Sequence, residues 1–97
     1  MLGTNFPISE YYRTEIMDAQ TISRGGSWWT AALLIRDPKS KKPFVALYRW
    51  QLTEAGWKMR KRFTFRKTSE IQTTFKALVE LGAKLDNSAT TDDGDTD

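Results

Sequence analysis

The chain contains no cysteine and no histidine among its 97 residues. Without cysteine there are no disulfides, no thiolate nucleophile and no Cys-ligated zinc. Without histidine the commonest general base and the commonest metal ligand are missing as well. Long apolar runs are absent too: Ala31-Ala32-Leu33-Leu34-Ile35 stops at five residues, against the roughly 18 that a membrane span needs. No basic segment followed by an apolar one opens the chain, so no secretory signal is expected. There is no glycine-rich phosphate loop, since Gly25-Gly26 alone signals a turn. Asp37 and Glu54 fall in separate turns, and nothing pairs a nucleophile with a base. The expectation is a binding protein rather than an enzyme, with no catalytic residue, metal or cofactor.

Positive charge is what the chain has in plenty. Lys and Arg number 15 and Asp and Glu 12, but the net of +3 hides an uneven distribution. Residues 1–85 carry all fifteen bases and seven acids, whereas the last twelve residues carry five aspartates and no base. From Arg36 to Lys67 eleven bases meet only Asp37 and Glu54. A basic region followed by an acidic tail points to a polyanionic partner, most often nucleic acid. The plainer reading of the same charge is a solvated surface.

Residues 1–10 read as a flexible lead-in, 11–85 as one domain and 86–97 as a disordered acidic tail. Residues 11–24 are ambiguous: Tyr12, Thr14 and Ile16 alternate as a strand would, while Ile8, Tyr12, Ile16 and Ala19 would make a helical stripe. Strand is favoured for at least part of the segment. Residues 27–36 and 44–52 read as the two strands of a hairpin with a basic tip, Asp37-Pro-Lys-Ser-Lys-Lys-Pro43. Residues 57–67 alternate with period two. Trp57, Met59, Phe63 and Phe65 fall on one face, with Lys61 the exception, and Lys58, Arg60, Arg62, Thr64 and Arg66 on the other. The period then changes. Ile71, Phe75, Leu78, Gly82 and Leu85 lie at helical spacing, widened by Val79 and Leu81, and predict a helix over about 69–85 with Ser69 and Gln72 as its capping box. The expected fold is α+β: a curved antiparallel sheet of about four strands followed by one C-terminal helix, with the helix over one sheet face.

If the Trp57/Met59/Phe63/Phe65 face meets the helix, Lys58, Arg60, Arg62 and Arg66 form a solvent-facing row. Alternate residues of a strand lie about 6.6–6.8 Å apart, a spacing suited to tracking a nucleic-acid backbone. The neighbouring strand offers Tyr48 and Trp50 with Arg49 between them, and the strand before offers Trp28. Cations interleaved with aromatics suit unpaired bases, which stack on exposed rings for about 1–3 kcal/mol each. Phe44, Phe63, Phe65, Phe75 and Trp29 are assigned to the core. The breadth of the stripe Phe75, Leu78, Val79, Leu81 and Leu85 suggests that it packs on a second copy.

Ile35-Arg-Asp-Pro-Lys-Ser-Lys41, the strand ending Tyr48-Arg-Trp50, the basic Trp57-Lys-Met-Arg-Lys61 and the helix over 71–85 together resemble the positive cofactor four family of transcriptional coactivators. The resemblance covers about residues 24–85. It implies a homodimer of curved sheets that binds single-stranded or melted DNA with little sequence preference. It implies contact roles for Arg36, Lys39 and Lys41 of the hairpin, with Lys42 beside them, for Trp50 as a stacking ring, and for Arg60 and Lys61. Pro38 stands where that family has an aromatic, and Met59 and Arg62 stand where it has glycines flanking the basic pair. The order of elements is also similar to that of Whirly and Pur-type proteins and a crenarchaeal single-strand DNA-binding family.

The expectation is therefore a non-enzymatic single-stranded DNA-binding homodimer, a cofactor of transcription, replication or repair, located in the cytoplasm or nucleoid, or in the nucleus of a eukaryote. An RNA-binding module on the same surface and a protein-interaction dimer are the alternatives. The acidic run 92–97 is read as a solubilising end, as a mimic of the nucleic-acid backbone, or as a contact for partner proteins.

Overall fold

The computed structural model describes residues 6–88, with side chains described as far as Leu85. Residues 1–5 and 89–97, including the acidic run, lie outside the described residues. The elements are α1 (Glu10–Arg13), β1 (Ile16–Gly25), β2 (Trp28–Arg36), β3 (Pro43–Thr53), β4 (Gly56–Phe65) and α2 (Thr68–Ser88). The four strands form one curved antiparallel sheet in sequence order, followed by the helix. The chain divides into two compact units, the sheet unit ending at Arg66 and the helix unit beginning at Lys67.

The tight turns follow from local chemistry. Gly26 and Gly56 have φ of 57° and 109°, conformations that a side chain disfavours; Gly26 sits in the β1–β2 turn and Gly56 opens β4 directly after the β3–β4 turn. In the β2–β3 hairpin Asp37 organises the loop. Its carboxylate accepts from the Lys39 backbone N–H at 3.2 Å and from the Ser40 hydroxyl at 3.1 Å. Lys41, with φ 67°, donates its N–H to the Asp37 carbonyl at 2.7 Å and closes the turn.

Alternation along β2 and β3 then sets the two faces. Trp29, Ala31, Leu33 and Ile35 pair with Trp50, Tyr48, Ala46 and Phe44, and all eight are buried on one side, the inner face. In the two middle rungs large meets small, Tyr48 opposite Ala31 and Leu33 opposite Ala46, and the end rungs pair Trp29 with Trp50 and Ile35 with Phe44. The residues between them point to the other side, the outer face.

The inner face is covered from the N-terminal side. Phe6 and Ile8 are buried, with the Phe6 ring stacked 5.2 Å from Trp29 and 5.9 Å from Trp50. Tyr12 meets Phe44 edge-on at 5.6 Å. Residues 6–10 are thus part of the fold and not a flexible lead-in, because Phe6 and Ile8 are among the few large apolar side chains able to close the aromatic layer. Of the two readings of 11–24, strand holds for part of the segment, as β1 from Ile16, whereas the helical stripe does not form: α1 is the single turn Glu10–Arg13, and Ile16 and Ala19 lie in β1. Register shifts leave Met17 and Ile22 of β1 unpaired and exposed. These bulges keep Ile16, Ala19, Thr21 and Arg24 in phase with the inner face.

A third bulge corrects the expected faces of β4. Arg49 pairs with Lys61 and Trp50 with Met59, which leaves Arg60 as an extra residue. One inserted residue exchanges the faces of everything beyond it. Trp57 and Met59 share the inner side with Arg62 and Thr64, while Lys58 and Arg60 share the outer side with Lys61, Phe63 and Phe65. The row Lys58, Arg60, Arg62, Arg66 is therefore divided between two faces, as is the set Trp57, Met59, Phe63, Phe65.

Helix α2 starts one residue earlier than expected and runs on to Ser88, three residues beyond the expected end. Its first turn is closed by Glu70, whose carboxylate accepts from the Lys67 backbone N–H at 3.3 Å, rather than by Gln72. Phe75, Leu78, Val79, Leu81 and Leu85 are exposed. With about 100° per residue they spread over about 160° of the helix circumference. Phe75 and Phe63, assigned to the core from sequence, are 66% and 58% exposed, and Phe65 is half-buried, whereas Trp29 and Phe44 are buried as expected.

Two outcomes test this account. Phe6→Ala should lower the unfolding free energy by about 3–5 kcal/mol, as for any buried Phe, in a urea titration followed by tryptophan fluorescence. Deleting Arg60 should keep a cooperative transition, since Met59 and Lys61 would then follow each other in regular alternation and keep Trp50 and Arg49 as partners, with Arg62 and Phe63 on their present faces. Loss of the cooperative transition in the deletion would show that Arg60 is not the extra residue of β4.

Candidate nucleic-acid interface

The residues singled out from the sequence separate into four places. Trp28, Arg49, Lys58, Arg60 and Lys61 come together at one end of the outer face. They occupy adjacent rungs: Thr30–Arg49–Lys61 in one, Trp28–Gln51–Lys58 in the next. The Arg49 guanidinium lies 4.4 Å from the Trp28 ring centroid. Arg60 donates its Nε–H to Gln51 Oε1 at 2.9 Å, which holds the bulged side chain on this face. Thr30, Leu47, Arg49, Lys61 and Phe63 line a half-open depression here, with Tyr48 and Arg62 also in its wall. Trp28 is 37% exposed and Phe63 more so, and they are the large exposed aromatics of the outer face. No carboxylate shares these two rungs, so the local field is positive.

The hairpin bases form a second group. Arg36 ends β2, and Lys39, Lys41 and Lys42 sit in the turn beyond it. Six residues separate the Arg36 rung from the Thr30 rung, about 20 Å at 3.3–3.4 Å each. The turn is therefore a separate basic patch at the far end of the strands.

The third group lies on the inner side. Trp50 is fully buried and Tyr48 is 3% exposed, their rings stacked on each other at 5.2 Å with 5° between planes. Neither is a surface stacking ring, which corrects the sequence reading of both. The physical reason is the Phe6 segment, which closes over the face they occupy. Trp57 is half-buried, edge-on to Trp29 at 5.5 Å. Arg62 pairs across to Tyr48 on this side, and Arg66 lies with its guanidinium 4.9 Å from the Phe44 ring centroid. Arg24, not singled out from the sequence, lies 4.0 Å from Trp29 and 5.4 Å from Trp57. It borders the aromatic layer with a cation–π contact.

The fourth group is the α2 stripe of Phe75, Leu78, Val79, Leu81 and Leu85, exposed along the helix.

Phe63, Thr30, Leu47 and Gln51 are outer-face residues that sequence reasoning missed. One signal pointed to them: Lys61 breaks the apolar alternation directly after Arg60. Two successive polar residues inside a period-two strand mark a bulge, and hence a change of face for Phe63.

Among the described residues no group of three or more His, Cys, Asp or Glu side chains could hold a metal ion, and no helix is long and apolar enough to cross a membrane. The chemistry offered by the outer-face cluster is cation–phosphate attraction and π-stacking.

The two buried indoles differ in a way that experiment can read. Trp29 donates Nε1–H to Thr21 Oγ1 at 3.1 Å, whereas the buried Trp50 Nε1 has no partner among the described residues. An orphaned buried donor costs about 1–3 kcal/mol. Trp50→Phe should therefore destabilise the fold by about 1–3 kcal/mol less than Trp29→Phe, compared by urea denaturation. Equal losses would mean that the Trp50 donor is satisfied. No family model, curated protein or solved structure matches the chain.

Proposed function

We propose that this chain binds single-stranded nucleic acid, DNA in the first place, with little sequence preference, as a non-enzymatic homodimer. One arrangement carries the reading: on the outer face the exposed rings of Trp28 and Phe63 flank Arg49 and Lys61, with Lys58 and Arg60 alongside. Unpaired bases have π faces to offer such rings, and phosphates bind the cations between them. A duplex hides those faces in its own stack, so the surface favours single strands. The cluster lacks a fixed set of side-chain amides or carboxylates aimed outward to read base edges. The Gln51 amide oxygen is already engaged by Arg60.

The second copy is proposed at α2. A helix with five apolar side chains along one side draws most of its stability from packing that stripe against a partner. A contiguous exposed apolar stripe marks an interaction surface. A two-fold pairing of the stripe with itself covers the same residues in both copies.

The reading is tested by fluorescence anisotropy of a labelled single strand with single-stranded, duplex and RNA competitors. Trp28→Ala and Phe63→Ala should each weaken binding by about 1–3 kcal/mol. Replacing Lys39, Lys41 and Lys42 together should change it less than about twofold near 0.15 M salt, because the turn lies more than two Debye lengths from the cluster. Duplex competing as well as single strand would reject the stacking surface, and stronger competition by RNA would assign the RNA reading. In sedimentation equilibrium the chain should have a dimer mass at micromolar concentration and Leu78→Glu a monomer mass. A monomeric wild-type chain would reject the α2 interface.

A further inference from the structure

We infer that a bound single strand crosses the β-strands, from β4 over β3 to β2, and that one sheet engages about three nucleotides, with the stacked Arg49–Trp28 pair as its inner plane. The inference rests on the single-strand reading above and specifies the path and the occupant of that site.

The bulge at Arg60 rules out the longitudinal alternative. A strand running along β4 would need a continuous row of cations on one face. Lys58, Arg60 and Lys61 lie on the outer side, but Arg62 turns to the inner side, and the next outer residues are Phe63 and Phe65. The outer-side cations instead continue sideways, since Lys61 is the rung partner of Arg49 on β3. The next rung partner of Arg49 is Thr30 on β2, and diagonally across that pair stands Trp28. Charge thus leads in from the β4 edge and ends on an aromatic ring at β2. Beyond it β1 presents Ser23 and Gln20 on this side, with no cation.

The span limits the occupant. From β4 to β2 is two strand spacings, about 9.5 Å. At about 3.4 Å of rise per stacked nucleotide, that accommodates about three. Phe63 stands beside Lys61 on the incoming side and Trp28 on the outgoing side, so the two exposed rings bracket the short path.

Arg49 has a particular place in it. Its guanidinium lies over the Trp28 ring at 4.4 Å, occupying one face of the indole. A base arriving from β3 therefore meets a guanidinium plane backed by the indole. Arginine can act in this way because its head group is flat and delocalised, whereas the ammonium of lysine is a compact point charge. Arg49 is thus a stacking residue as well as a charge.

The test uses the full chain with oligothymidylates of two, four, six and eight nucleotides at several salt concentrations. Binding should strengthen up to four nucleotides. From four to eight it should then rise only about threefold, the gain in registers open to a three-nucleotide site on a lattice. The slope of log K against log salt should stay near −2 at every length above two, about −0.7 for each of three phosphates. Arg49→Lys should lose at least about tenfold in affinity with that slope unchanged, since charge is kept and the plane is not. An affinity that climbs more than about thirtyfold from four to eight nucleotides with a steepening slope would overturn the crossing path. Arg49→Lys binding within twofold of wild type would overturn the stacking plane. In either case the single-strand reading would stand, whereas failure of every length, and of a 20-nucleotide strand, to bind would remove that reading and the path with it.

Discussion

The stack of Phe6 on Trp29 and Trp50 closes one face of a sheet whose central strands carry apolar side chains on both. β2 alternates between fully buried residues and half-buried ones such as Ala32 and Leu34, so its own pattern leaves the choice of inside to whatever packs on it. The N-terminal segment makes that choice. Once Phe6, Ile8 and Tyr12 lie over the aromatic layer, the inner face is dry, and Tyr48 and Trp50 become structural. Everything functional must then be presented on the outer face or at the strand ends.

Bulges adjust this frame locally. Those in β1 put Met17 and Ile22 outside the pairing and keep Thr21 opposite the inner layer, where its hydroxyl accepts from the Trp29 indole. The one in β4 divides five basic residues in nine positions, Lys58 to Arg66, between two faces. Lys58, Arg60 and Lys61 join Arg49 and Trp28, and Arg62 and Arg66 border the covered side. A positive sheet edge of this kind also repels a second copy of itself, which discourages edge-to-edge aggregation. The same charges thus concentrate a positive field at one end of the outer face.

Cation–π contacts mark the border between the two roles. Arg24 and Arg66 lie on rings of the inner layer and reinforce its rim, whereas Arg49 lies on a ring that is itself partly exposed. The chemistry is the same, and the exposure of the ring beneath decides whether the pair is structural or available to a ligand.

Sequence alone determined three of the four strands and the long helix. Period-two alternation over residues 27–36, 44–52 and 57–67, the glycine turns and the change to helical spacing after Thr68 follow from local geometry, and the curved sheet followed by a helix has the order they imply. The concentration of cations around β3 and β4 was equally legible, because charge is a property of composition. Tertiary structure decided which side of each strand is inside. Trp50 looks from sequence like a surface ring and Phe63 like a core one, yet their places are exchanged. Alternation specifies two faces without labelling them. The labels come from a segment 16 to 22 residues upstream of β2 and from one extra residue in β4, both of which act through long-range packing and register rather than local propensity.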